Sequence, residues 1–302
     1  MLLPDSVASD HQSEYPTVGI VLAHRSGHGD LGASLRHITA TANARTTIVV
    51  ATDNPQLVGD VATIVHPGAL VPELWAAGIR FLTTDRVALC SSAVAVASDW
   101  VATIERGGLD WTAAGGTIAD SLLSGTVDRA VHRVRFNRHG LSEVDRPFLH
   151  SDLAADNAWY DRVAIGEVAA SFSDGFWEPF VHTQLLQHSG RLMRDPGLRA
   201  EMLPGVSLRV ALRQRVEHGR RHGQRWSQGR SRRTIALAVL STPAIALVMT
   251  WRSNRAGKRD KQSLGLHAVV LLLFTAWAGG EFLGRIDALV TSSRRSRRSR
   301  QR

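Results

Sequence analysis

A chain of 302 residues exceeds the usual length of one domain, and with 44% hydrophobic and 21% charged residues it can bury a real core, which excludes wholesale disorder. Its single cysteine, Cys90, excludes an internal disulfide framework and fits a reducing compartment without requiring one. The formal net charge of +9 falls mostly after Leu208, so a basic C-terminal segment faces nucleic acid, anionic lipid head groups or the diphosphate of a nucleotide-sugar.

Residues 1–14 are polar and aperiodic and predict a disordered N-terminus; with no basic n-region and no long apolar run, a cleavable secretion signal is not expected. Residues 18–23 form a short continuous apolar run, the pattern of a strand buried on both faces. A loop through Ser26-Gly27-His28-Gly29-Asp30 leads into a helix with Leu31, Leu35 and Ile38 on one face. Further strands are predicted at 46–51, 61–65 and 86–90, the first of them ending in the turn cluster Thr52-Asp53-Asn54-Pro55. Helices are predicted over 72–81 and from Asp99-Trp100 onward. This alternation predicts an α/β domain over residues 15–207 on a mostly parallel sheet, with the loops after Ala23, Ala51 and Cys90 lining any site. Gly107-Gly108 and Gly115-Gly116 lack the setting of a phosphate loop and read as turns. Asp174 is placed to cap a helix that holds Glu178 and Pro179 in its first turn and stops at Gly190. On it Glu178 and His182, four apart, share a face.

Residues 208–233 read as a basic helix through Arg213, Arg215, Arg220, Arg221 and Arg225. His218 and His222 lack a third ligand nearby and read as spacers in that helix rather than a zinc site. Residues 234–286 hold two apolar segments, 234–251 and 264–284, each close to the ~20 residues that a ~30 Å bilayer core requires. They form either a membrane hairpin or a pair of buried core helices. The stretch before them, the loop between them (Arg252, Arg255, Lys258, Arg259, Lys261) and the tail 287–302 are all basic, which places them at the cytoplasmic face of the cell membrane, against anionic lipids. Two full spans would carry the central basic loop across the bilayer; a re-entrant hairpin or interfacial helices satisfy all three flanks. The tail carries no nucleic-acid-binding motif and no interleaved aromatics, so no nucleic-acid partner is expected.

The order and spacing of four stretches resemble a family-2 glycosyltransferase. Residues 17–25 resemble its opening strand, and residues 48–54 its second strand, where Asp53 stands near the acid that contacts the nucleotide base; residues 72–80, with Ala76-Ala77-Gly78-Ile79-Arg80, resemble the helix that follows. Residues 87–100 resemble a Val-Ala-Leu-Thr-Glu-Asp-His-Cys-Val-Pro-Ala-Pro-Asp-Trp segment whose acidic pair holds a divalent metal, but Ser91, Ser92 and Ala93 occupy those positions here. Residues 156–162 and 175–185 resemble a Gly-Asn-Asn segment and the family's acidic helix, with Val181-His182 where many relatives carry the catalytic acid pair. Leu212-Arg213-Gln214-Arg215 with Gly219-Arg220, and Ala276 to Gly284, are similar to a Gln-Arg-x-x-x-Gly-Arg element and an Ala-Trp-x-x-Gly-Glu-x-x-Gly-Tyr ending of one bacterial branch; residues 101–150 match loosely.

The resemblance implies a sheet of nucleotide-diphospho-sugar transferase type followed by a helical, membrane-associated region. It also implies hexosyl transfer from a nucleotide-diphospho-sugar to an unknown acceptor, as in polysaccharide biosynthesis. Magnesium or manganese is the family's metal, yet a neutral serine hydroxyl is a poor ligand for either, so metal dependence is expected to be weak or absent. Glu178 and His182 are then the candidates for the catalytic base, or a surface pair on a capped helix. Arg215 and Arg220, with Arg25 and Asp53, are the candidates for the nucleotide site, although the arginines fit lipid head groups equally well. Loss of both acidic motifs also fits a non-catalytic homologue that acts as a scaffold or partner in a membrane-linked biosynthetic complex.

Overall fold

The computed structural model describes residues 15–56, 60–139, 145–256 and 264–299. The expected N-terminal disorder at 1–14, part of the basic loop between the apolar segments and the last three residues of the tail lie outside the described residues.

The first half alternates as expected: β1 (Val18–His24), α1 (Leu31–Thr41), β2 (Thr46–Thr52), β3 (Ala62–Val65), α2 (Val71–Phe81), β4 (Arg86–Ser91), β5 (Val94–Val96) and α3 (Trp100–Arg106). β1 is buried along its whole length, as a central strand covered on both faces must be. Asp30 caps α1 through the Ala33 N–H (2.9 Å), and Glu73 closes the first turn of α2 by accepting from the Leu70 N–H (2.8 Å). Then follow β6 (Ala113–Ala119), α4 (Thr126–Phe136), β7 (Phe148–Leu149), β8 (Asn157–Asp161), α5 (Arg162–Glu167), α6 (Glu178–Gln187) and β9 (Leu192–Met202).

The sheet order is β3-β2-β1-β4-β8-β6-β9-β5, with β7 also paired to β9. Its first four strands are parallel, but β8 runs antiparallel to both β4 and β6, and β9 pairs antiparallel with β5 and β7. The sheet is therefore mixed, and the expectation of a mostly parallel sheet is corrected. The reason is local: after β6 the chain returns at the carboxyl end of β4, where Asn157 stands opposite Cys90, so β8 has to run downward to Asp161 opposite Arg86. The segment just before β8 is thereby delivered to the edge where ligands bind in open α/β sheets.

Two further readings change. Gly115-Gly116 is no turn but the middle of β6, where a Cβ at Gly116 would run into the Leu198 carbonyl oxygen beside an irregularity in the β6–β9 ladder. The first residue outside α6 is Trp177 rather than Asp174, which pairs instead with Arg225 at 2.7 Å.

The C-terminal region is formed by three helices, α7 (Leu208–Ser227), α8 (Arg232–Ala256) and α9 (Leu264–Ser299), and the expected basic helix over 208–233 is broken by a turn at residues 228–231, where Gly229 has φ +70°. α7 and α9 cross in backbone contact. A Cβ at Gly219 or Gly223 of α7 would strike the carbonyls of Trp277 or Glu281, and one at Gly280 or Gly284 of α9 those of Val216 or Arg220. Glycines four apart on both helices are what such an approach needs. Three charges on α9 are paired within the bundle: Glu281 pairs with Arg285, which donates to Thr242 (2.9 Å), and Asp287 accepts from Arg220 (2.8 Å). By length and composition Leu264–Thr291 could cross a membrane; α8 would add a second span if its arms, bent by 58° between Arg232–Thr242 and Ala244–Ser253, counted as one. Pro243, with no N–H to donate, stands at that bend.

Candidate active site

Four segments meet at the carboxyl edge of the sheet: the loop after β1, the Asp152–Asp156 segment before β8, the start of α6, and α7 with α9 laid across the top. The last three, with α4 and the start of α2, line a cavity of about 250 Å³ whose walls include Arg135, Asp152, Asp156, Glu178, Arg215 and Trp277, and the loop after β1 borders a smaller pocket beside it.

Asp156 is the anchor. It is 3% exposed, accepts two hydrogen bonds from Arg135 Nη2 (2.9 Å each) and a third from the Ser91 hydroxyl. A carboxylate thus stands beside Ser91 at the end of β4, supplied by the segment that enters the antiparallel strand β8. Ser92 donates to the His28 carbonyl (2.6 Å) and contacts His24 Nδ1 (2.9 Å), and Ala93 is buried. A divalent cation does not fit this set. Both Asp156 oxygens already face a guanidinium, the serines are committed to protein partners, and among the described residues no three His, Cys, Asp or Glu side chains converge.

The cations are arranged in series. Arg135 also donates to His28 Nε2 (3.0 Å); burial and four neighbouring cationic or imidazole groups, Arg135 first, hold His28 well below its ordinary pKa, so it stays neutral and can accept. Arg215, on α7, lies within the same field. Burial, aided by Arg135 and opposed by Asp156, lowers its pKa to about 9. Its Nη2 is shielded from solvent and has no hydrogen-bond partner, and its guanidinium lies 5.6 Å from the Trp277 ring. Arg25 pairs with Glu217 and approaches Asp53 (3.9 Å), while its Nη1 is likewise buried without a partner. Arg25 and Arg215 line a small pocket with His28, Arg135 and His218. Two buried guanidinium nitrogens without acceptors beside an open space define a site for an anion.

Glu178 shares the larger cavity with Arg135 and Arg215, but not with Arg25. Its carboxylate accepts from the Ala155 N–H (2.8 Å), and burial, reinforced by Asp156, raises its pKa to about 8. Part of its surface is accessible, but from the cavity. His182, four residues on, does not reach it. The imidazole is 1% exposed and held between the Tyr160 hydroxyl (3.0 Å) and Asp152 (3.1 Å), so Asp152 rather than Glu178 is its carboxylate partner.

The remaining sequence candidates divide. Asp53 accepts from both the backbone N–H and the hydroxyl of Ser26 (2.8 and 2.9 Å), tying the loop after β1 to the end of β2. Arg220 is paired to Asp287 and lines an outer cavity of about 410 Å³ with Arg25, Arg213 and Arg221. Arg25 belongs to both spaces, whereas Arg215 and Arg220 do not share one. Sequence reading missed Arg135, in the loosely matched stretch, and passed over His28 and Asp152. Asp156 opened a matched segment without being assigned a role, and His218 was set aside as a spacer although it lines the pocket. Cys90 is buried and its thiol pushed far up by burial, which makes it inert.

No protein-family profile matches the chain, and no curated protein does. Among solved structures it is similar to the mannosyltransferase PcManGT from Pyrobaculum calidifontis, in complex with GDP-Man and Mn²⁺, with a TM-score of 0.49 and 11% identity over 92% of this chain and 88% of that one.

Proposed function

We propose that the chain is a membrane-associated glycosyltransferase that moves a sugar from a nucleotide-diphospho-sugar to an acceptor hydroxyl without a divalent metal. One observation carries the reading: the buried, unpartnered nitrogens of Arg25 and Arg215 border one small pocket, and Arg215 also lines the adjoining cavity whose wall includes Glu178, a carboxyl group with a strongly raised pKa. The diphosphate lies between Arg25 and Arg215, backed by Arg135, and the nucleoside extends past Arg25 into the outer cavity toward Arg220 and the Asp53 turn. The sugar then occupies the inner cavity beneath Trp277.

In the transfer an acceptor oxygen attacks the anomeric carbon and gives its proton to Glu178. The bond from that carbon to the diphosphate breaks, and the electron pair leaves on the phosphate oxygen, where the fixed guanidinium groups stabilise the charge. A base with a pKa of about 8 is protonated at neutral pH, so turnover should rise with pH through about 8 and level off above it. His182 acts through Asp152, fixing that carboxylate at the cavity wall. The basic, apolar C-terminal helices hold the enzyme at the cytoplasmic face of the membrane.

The test is release of nucleoside diphosphate from a panel of UDP- and GDP-sugars by the detergent-purified full chain, with Glu178→Gln and His182→Gln alongside. Turnover should fall on the order of 10³-fold in Glu178→Gln with nucleotide affinity unchanged. Nucleotide binding with no release by the wild-type chain from any donor, with or without acceptor extracts, would favour the scaffold reading instead.

A further inference from the structure

A second opening leads into the same cavity. A groove of about 280 Å³ shares Val134, Arg135, His139 and Asp152 with the inner cavity, and its far wall is made by α8 and α9. There Met249 and Phe274 are apolar, Arg252 is exposed, and Ser253 is 7% exposed with a hydroxyl that has no hydrogen-bond partner. The groove thus has a polar wall, with Arg133, Arg135, Asn137 and Asp152, on the side shared with or next to the inner cavity, and apolar Met249 and Phe274 with the exposed Arg252 on the side of α8 and α9. Beyond it α8 and α9 present exposed Leu240, Leu247, Trp251, Leu271 and Leu272, an apolar surface continuous with the helix that is long enough to cross a bilayer.

A soluble saccharide acceptor needs neither the apolar wall nor a site that opens onto the exposed apolar surface of α8 and α9. We propose that the acceptor is lipid-linked: a hydroxyl-bearing head joined through phosphate to an apolar chain. It enters between α4 and the second arm of α8. The phosphate sits by Arg252 and accepts from the Ser253 hydroxyl, the chain runs along the apolar face of α8 and α9, and the reactive hydroxyl reaches Asp152 and Glu178. This rests on the transferase reading for the role of the bound lipid, but the lipid site itself stands on the groove alone.

The experiment uses the full chain in phosphatidylcholine nanodiscs and a photoreactive twelve-carbon alkyl phosphate as probe, with cross-links mapped by mass spectrometry. Cross-links should concentrate on peptides containing residues 249–253 and 134–139. They should fall at least fivefold for the matching alkyl alcohol and at least fivefold in Ser253→Trp, which fills the groove. Inorganic phosphate should not compete, since without the chain it gains nothing from the apolar wall. In the same samples UDP and GDP titrations should give unchanged affinity in Ser253→Trp, whose substitution lies outside the nucleotide site. Cross-links spread evenly over α8 and α9, equal labelling by alcohol and phosphate, competition by inorganic phosphate alone, or no effect of Ser253→Trp would each overturn the proposal. Absence of nucleotide binding in samples that still cross-link in the groove would instead remove the transferase reading and leave the lipid site standing.

Discussion

The sheet and the C-terminal helices furnish opposite halves of the site. From the sheet and its loops come the acids, Asp53, Asp152, Asp156 and Glu178, while α7 and α9 bring Arg215, Arg220, His218 and Trp277. Arg25, Arg135, His28 and His139 from the α/β part and the acid Glu217 from α7 cross that division, and Asp156 binds Arg135 through both carboxylate oxygens, so that it acts as scaffolding for a cation rather than as a ligand for a metal. The difference teaches that positive charge which a metal ion would supply from within an α/β domain can be brought instead by a helix docked over the sheet. It follows that the proposed site is incomplete unless α7 and α9 are seated.

That dependence can be broken at several points. The largest stability effect is expected from Arg135→Ala, which leaves Asp156 buried without its cation; a loss of about 3–4 kcal/mol should appear in denaturant unfolding, and Arg135→Ala with Asp156→Asn should recover part of it. Next, Gly280→Val pushes a side chain into the Val216 carbonyl and should cost about 2–3 kcal/mol while releasing α9 from α7. Cross-linking between cysteines placed on exposed positions of the two helices reports that release, and nucleotide affinity should fall with it.

A smaller effect, of opposite sign, is expected from Glu178→Gln. In the folded chain the carboxyl keeps its proton up to about pH 8, whereas the unfolded chain releases it near 4.5. Unfolding therefore releases a proton between those values, and this group lowers stability as pH rises from 4.5 to 8. Glutamine removes the penalty, so thermal unfolding at pH 8.5 should show stabilisation of roughly 2 kcal/mol, with no gain at pH 4. The smallest effect should come from Asp53→Asn: it keeps an oxygen for the Ser26 donors but loses the charge near Arg25, and nucleotide affinity should weaken about threefold or less, at a cost below ~1 kcal/mol.

The halves were unequally legible in the sequence. The parallel strands of the first half declare themselves as unbroken apolar runs, and β1, β2, β4 and α2 fall within a residue or so of where periodicity places them. β6 and β8 do not: β6 opens on Ala-Ala-Gly-Gly, which carries little strand propensity, and β8 is a five-residue stretch in which strand-forming Trp159 and Tyr160 sit between Asn157 and Asp161 without a repeating pattern; missing β8 meant missing that Asp156 reaches the ligand edge. Glu178 was singled out with His182 because the two share a helical face, but spacing along a helix cannot show that the Asp152 loop meets His182 while Glu178 takes the Ala155 N–H. Arg215 was legible as a charge and its burial was not. The glycines of α7 and α9 stood in the matched motifs with no assigned purpose, and their spacing becomes meaningful only once the two helices are seen to touch.

The central claim is a diphosphate site built from arginines without a metal. Calorimetric titration of the detergent-purified chain with UDP and GDP in EDTA, and again with Mn²⁺, on wild type and Arg215→Ala, tests it directly. The expected result is binding of one nucleotide in EDTA, changed little by Mn²⁺, and weakened 30-fold or more in Arg215→Ala, a loss of about 2 kcal/mol. Binding that requires Mn²⁺, or that survives in Arg215→Ala, would contradict the account.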